Sequence, residues 1–145
     1  MEVFRILSLW FSEMFSVNKE SRVIFFTRWI MALSEFEIKR IEKLVGKFVE
    51  GQQPVCHIRR QLEYTFRISK QSFEILEVRP QHNDPTKIQE IPIAKATYIK
   101  SRKLWKLYWM RADLKWHSYK PFPESSSLEK ILEVIAQDRY NCFFG

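Results

Sequence analysis

From residue 34 onward the hydrophobic positions switch between two periods, and each switch marks an element. Ser34 followed three residues later by Glu37 is a capping-box signature: the hydroxyl and the carboxylate each satisfy a backbone N–H at a helix start. Phe36, Ile41, Leu44, Val45 and Phe48 then recur at near-helical spacing. Ile38 and Val49 widen the stripe, and Lys39, Lys43 and Lys47 line another side. The pattern predicts a helix over 34–50, ended by Gly51 in the left-handed conformation and by Pro54 shortly after. Residues 54–60 read as one short helical turn, which a proline can open.

The period then drops to two. Leu62, Tyr64, Phe66 and Ile68 alternate with Glu63, Thr65 and Arg67, as a half-buried strand does. Residues 69–72 are turn-like, 73–79 read as the returning strand, and Pro80 ends it. Residues 81–90 form a polar loop carrying Asn83, Asp84 and Pro85. Strand formers return over 93–100, and Ser101-Arg102-Lys103 turns the chain into a strand over 104–110. A second turn around Ala112-Asp113 leads to a strand over 115–119. Pro121 and Pro123 mark a loop. Ser126 with Glu129 reads as another capping box, and Leu128, Ile131, Leu132 and Ile135 make a clean apolar helix face. Asn141-Cys142-Phe143-Phe144-Gly145 is a hydrophobic tail expected to dock on the core. The order predicts an α+β domain: an N-terminal helix, an antiparallel sheet of about five strands, and a C-terminal helix, with the helices on one face.

Residues 1–30 are apolar but broken by Glu13, Lys19, Glu20, Arg22 and Arg28, so no run approaches the ~20 residues of a spanning helix. Glu2 and the lack of a small-residue cleavage site argue against a signal peptide. Phe4, Leu7, Phe11 and Met14, with Trp10, fall near one helical face, yet the polar side lacks the Lys/Arg richness of an interfacial helix. A membrane partner is therefore not expected. Met31, just before Ser34, reads as the natural start, with 1–30 an upstream N-terminal extension and 31–145 a single domain.

Composition narrows the function classes. A chain of 145 residues with 46% hydrophobic and 28% charged residues excludes a disordered polymer. Three Gly argue against glycine loops that cradle nucleotide phosphates. Two Cys cannot build a disulfide scaffold, which points to a reducing, cytoplasmic setting. The net charge of +7 is concentrated in 95–120, where Lys95, Lys100, Arg102, Lys103, Lys106, Arg111, Lys115 and Lys120 face a single acid, Asp113. Trp105, Trp109, Trp116, Tyr98, Tyr108 and Tyr119 share that window. Cations that neutralise phosphates beside rings that stack on bases suit nucleic acid. The same pattern fits a hairpin whose rings fill the core while lysines cover its outside. Exposure of the three tryptophans discriminates between the two.

Other chemistries are poorly supplied. Cys56, His57, His82, His117 and Cys142 lack the spacing of a structural zinc site, and the adjacent Cys56 and His57 would point to opposite faces of extended chain. That adjacency also defeats a nucleophile–base pair. No metal and no cofactor is expected. A metal-dependent hydrolase or nuclease could draw on Glu74, Glu77, Glu90, Lys95 and Asp113. However, Glu74 and Glu77 are three apart, and Ile93 stands where a carboxylate two residues before Lys95 is wanted. Asp113, among Arg111, Lys115 and His117, reads as the anchor of its turn.

One block of residues is distinctive: Trp105-Lys106, then Trp109-Met110-Arg111-Ala112-Asp113-Leu114-Lys115-Trp116-His117-Ser118-Tyr119. Together with Arg79-Pro80, Ala94-Lys95-Ala96-Thr97-Tyr98 and the closing Cys142-Phe143-Phe144-Gly145, it resembles a bacterial family known as domain of unknown function 3024, over about 31–145. The resemblance implies no assigned activity, cofactor or catalytic residue, and residues 1–30 have no counterpart in it.

The residues themselves favour a binding module over an enzyme, with nucleic acid as partner. Lys100, Arg102, Lys103, Lys106 and Lys120 are the candidate phosphate contacts, and Trp105, Trp109 and Trp116 the candidate stacking rings; DNA and RNA are not distinguished. The alternatives are the hydrolase built on strand carboxylates and Lys95, and a protein-interaction module whose aromatic face docks a partner.

Overall fold

The computed structural model describes residues 33–55 and 61–145. The extension, the start at Met31, Cys56, His57 and most of the turn expected over 54–60 lie outside the described residues.

Helix α1 spans Glu35–Gln52. Ser34 is extended (φ −69°, ψ 157°); its hydroxyl accepts the Glu37 N–H at 3.2 Å, and the Glu37 carboxylate accepts the Ser34 N–H at 2.8 Å. The capping box is complete. Ile41, Val45 and Val49 are buried, one turn apart. Phe36, expected on the same stripe, is 80% exposed. It lies nine residues before Val45, two and a half turns, and so points the opposite way. The end of the helix also differs from expectation. Gly51 remains helical, and the chain leaves the helix at Gln53 (φ −57°, ψ 136°), because a residue before proline is pushed out of the α region.

The sheet is antiparallel, in the order β1 (Glu63–Ser69), β2 (Ser72–Pro80), β3 (Ile88–Ile99), β4 (Leu104–Met110), β5 (Trp116–Ser118), and a short β6 (Glu124–Ser125) also pairs with β4. Lys70 (φ 56°) and Lys103 (φ 50°) take left-handed conformations in the β1–β2 and β3–β4 turns. β3 begins five residues before the expected 93, inside what reads as loop, and it contains Pro92. Its register against β2 slips between Ile75 and Leu76, and β4 reaches only 94–99. Pro92 therefore sits in an edge stretch beside a bulge, where a missing N–H is tolerated. β5 is shorter than 115–119. β6 was not legible in the sequence: after Pro123 the chain returns to β4, setting Glu124 opposite Lys106 and Ser125 opposite Trp105.

Helix α2 spans Leu128–Gln137. Its N-cap is Ser127 rather than Ser126: the Ser127 hydroxyl accepts the Lys130 N–H at 3.2 Å. Glu129 accepts the Ser127 hydroxyl and receives Arg40 of α1 at 3.0 Å, which links the two helix starts.

Both helices lie on one face of the sheet. That face carries the cross-strand rows Ile68–Phe73–Ala96–Leu107 and Phe66–Ile75–Ala94–Trp109. Ala94 and Ala96, fully buried, keep the middle of the face flat enough for helices to approach. Leu128, Ile131, Leu132 and Ile135 pack from α2, and each buried aliphatic side chain contributes about 1.5–3 kcal/mol. The tail docks as expected, with the Phe143 ring buried 5.0 Å from that of Tyr119. No helix among the described residues is long and apolar enough to cross a membrane.

Candidate nucleic-acid interface

The basic residues of 95–120 are divided between the two ends of β4. At its start, Lys100, Arg102 and Lys103 form the β3–β4 turn, and all three are exposed. Lys106 follows two residues along β4, half-buried, on the face away from the helices. Lys120 comes alongside because the Tyr119 N–H donates to Leu107 O at 2.9 Å. Lys100, Arg102, Lys103 and Lys106 thus belong to the start of β4, and Lys120 follows the residue bonded to its middle, Leu107.

Their charges are not equivalent. Arg102 forks onto Glu124, at 2.9 and 3.2 Å, and is largely neutralised. Glu37 is held below the usual carboxylate range by the Ser34 N–H and then the Ser34 hydroxyl, with a smaller contribution from the charge of Lys100. Lys103, Lys106 and Lys120 have no ion-pair partner among the described residues.

The tryptophans do not form one platform. Trp105 is only 6% exposed, its ring 5.7 Å from Phe73 and 5.1 Å from Tyr98, so its expected role as a stacking ring is corrected to core packing. Trp109 shares the helix-covered face; it is half-buried, with the Arg111 guanidinium 5.6 Å from its ring centre. Trp116 lies on the other face, opposite Met110, half-buried with Lys95 5.5 Å from its ring. Met110 lies four residues along the strand from Lys106, about 13 Å. Trp116 therefore stands at the far end from the lysine cluster.

That far end is organised by Asp113. One of its oxygens accepts the Lys115 N–H at 3.1 Å and the other meets His117 Nε2 at 2.8 Å. Arg111 N–H donates to Lys115 O, and Leu114 takes a left-handed φ of 57°. The hydrogen bond to His117 is the main cause holding the Asp113 carboxyl below its ordinary value. Asp113 is a turn anchor, working through His117 and a backbone N–H rather than through the side chains of Arg111 or Lys115.

The carboxylates of the hydrolase alternative are dispersed. Glu74 sits between Arg67 (2.7 Å) and Lys95 (3.3 Å); Glu77 lies on the opposite face against Arg79 (3.2 Å); Glu90 approaches Arg67 at 3.8 Å. Among the described residues no three His, Cys, Asp or Glu side chains gather as metal ligands. A cleft of about 120 Å³ between the two helix starts and the β3–β4 hairpin, floored by Tyr98 and Trp105, is well below the roughly 300 Å³ of small-molecule sites. Sequence reasoning missed Glu124 and Glu74 as partners, because strand register sets both contacts.

A family model described as Domain of unknown function (DUF3024) matches residues 33–145. The chain belongs to this family. No curated protein and no solved structure matches it. Both ends of β4, both helices and the tail fall within the DUF3024 match.

Proposed function

We propose that this DUF3024 protein is a small nucleic-acid-binding module, acting in the cytoplasm, whose contact surface is the start of β4. The observation that carries the reading is the group of Lys103, Lys106 and Lys120 along the first half of β4, none of which has an ion-pair partner within 4 Å among the described residues. Phosphates are the natural complement of lysines left in this way, and Lys100 adds a fourth cation at the same turn. Trp116 supplies a half-exposed ring farther along the sheet, within reach of a strand that continues past Lys106.

The test is the salt dependence of binding to fluorescent single-stranded and duplex oligonucleotides. With four phosphates neutralised, log affinity falls against log salt with a slope of about −3 for single strands or −3.6 for duplex DNA. Changing Lys103, Lys106 and Lys120 to Glu abolishes binding while leaving the fold intact. Absence of binding to either form at low salt would overturn the reading and favour a protein partner.

A further inference from the structure

Among the described residues β1 stands at the end of the sheet, with β2 on one side only. In an antiparallel ladder, successive residues alternate between bonding the neighbour and directing their N–H and C=O away from it. Ser69 and Ser72 close the turn, so the odd residues of β1 bond β2, and Tyr64, Phe66 and Ile68 direct theirs to the open edge. At Tyr64 a side chain meets them. The Gln53 amide donates to Tyr64 O, and its oxygen accepts the Tyr64 N–H at 3.1 Å. A primary amide carries the donor and acceptor of a peptide group, so Gln53 substitutes for one residue of a neighbouring strand. Among the described residues the outward groups of Phe66 and Ile68 have no such partner.

An open edge strand is a template for a second copy. We propose that Gln53 and Arg67 form a guard that prevents two copies of the chain from pairing through β1. Two-fold antiparallel pairing must match outward residues with outward residues, which leaves few registers. The register centred on Phe66 pairs Tyr64 with the copy's Ile68, and the register centred on Thr65 pairs Tyr64 with the copy's Phe66. Both need the Tyr64 backbone, which Gln53 occupies. The register centred on Arg67 spares Tyr64 and pairs Phe66 with Ile68, but it sets Arg67 directly opposite its own copy, so two guanidinium groups, each already held by its own Glu74 at 2.7 Å, are forced against one another. A register centred on Ile68 spares both residues, but beyond Ile68 and its copy it sets Phe66 against Lys70, whose left-handed φ of 56° lies in the turn, so that ladder cannot extend. The opposite edge needs no comparable guard, since it is divided between the short strands β5 and β6.

The test uses the full chain, with sedimentation velocity and amide hydrogen exchange over a wide concentration range. The wild type stays monomeric, with the Tyr64 amide protected and those of Phe66 and Ile68 exchanging fast. Gln53→Ala shifts from monomer to dimer as concentration rises, and the Tyr64, Phe66 and Ile68 amides slow together. Arg67→Thr, a surface change to a strand-forming residue, slows Phe66 and Ile68 on concentration and leaves Tyr64 as it was. A wild type whose Phe66 and Ile68 amides slow with concentration overturns the proposal. So does a folded Gln53→Ala that stays monomeric. Should Gln53→Ala not fold, Arg67→Thr decides alone: unchanged exchange at Phe66 and Ile68 sinks the idea.

Discussion

The Asp138 carboxylate holds the Phe143 backbone in place, accepting its N–H with both oxygens at 3.1 and 3.2 Å. The same carboxylate accepts Cys142 N–H at 2.7 Å and Phe144 N–H at 2.8 Å, so one side chain satisfies three successive backbone donors. Asp138 itself ends α2 in the left-handed conformation, which turns the tail back over the sheet. Phe143 then meets Tyr119, and Phe144 meets Tyr64 edge-on at 5.2 Å. Hydrogen bonds to a charged acceptor are worth about 1.5–3 kcal/mol, so Asp138→Ala should cost about 2–3 kcal/mol in urea titration and weaken the near-ultraviolet signal of the tail rings. Asp138→Asn, which keeps an acceptor and tolerates the left-handed backbone, should cost less.

The two helix caps give a sharper test. Ser34→Ala and Ser127→Ala should each lower stability by about 0.5–2 kcal/mol. Ser126→Ala, one residue off the cap and exposed, should stay within about 0.5 kcal/mol of wild type. Equal costs at Ser126 and Ser127 would contradict the observed start of α2.

Acid should act partly through Glu37 and Asp113, whose folded-state pKa values lie below their ordinary 4.5 and 3.8. A group lowered on folding contributes stability that is present above its ordinary value and lost as pH falls through the folded one. Denaturant titrations at successively lower pH should therefore show stability falling below those values. Glu37→Gln keeps an oxygen for the Ser34 N–H but removes the proton linkage, so it should flatten part of the acid decline.

Trp105 and Trp116 should separate by readout. Trp105→Ala empties a core position and should cost about 3–5 kcal/mol of stability. Trp116→Ala should leave the fold largely intact and, if its ring stacks on a base, weaken single-strand binding by about 1–3 kcal/mol with little change in salt slope.

Removal of residues 1–32 should leave a cooperative fold. Residues 33–145 supply α1, the whole described sheet, α2 and the tail, with a buried cluster drawn from each, and the family match covers the same residues. A protein lacking the first 32 residues that melts without a cooperative transition would refute this.

The sequence by itself determined what local chemistry controls. The cap at Ser34, the strand over 104–110, the apolar face of α2 and the turn anchored at Asp113 follow from spacing and side-chain type within a few residues, where period and capping act. The charge excess of 95–120 was equally plain. Tertiary structure decided everything that depends on which strand lies beside which. The bulge that lets Pro92 into β3, the return of Glu124 to β4, and the pairing of Gln53 with Tyr64 each join residues that no local rule connects. The same holds for the candidate interface. Alternation placed Trp105 and Trp109 on one face, but only the packing of Phe73, Tyr98 and the helices assigned that face to the core. Only the register of β4 with β6 let Arg102 be neutralised while Lys103, Lys106 and Lys120 were left without a partner among the described residues. Burial and ion pairing are set by neighbours distant in the chain, and a one-dimensional pattern does not carry those distances.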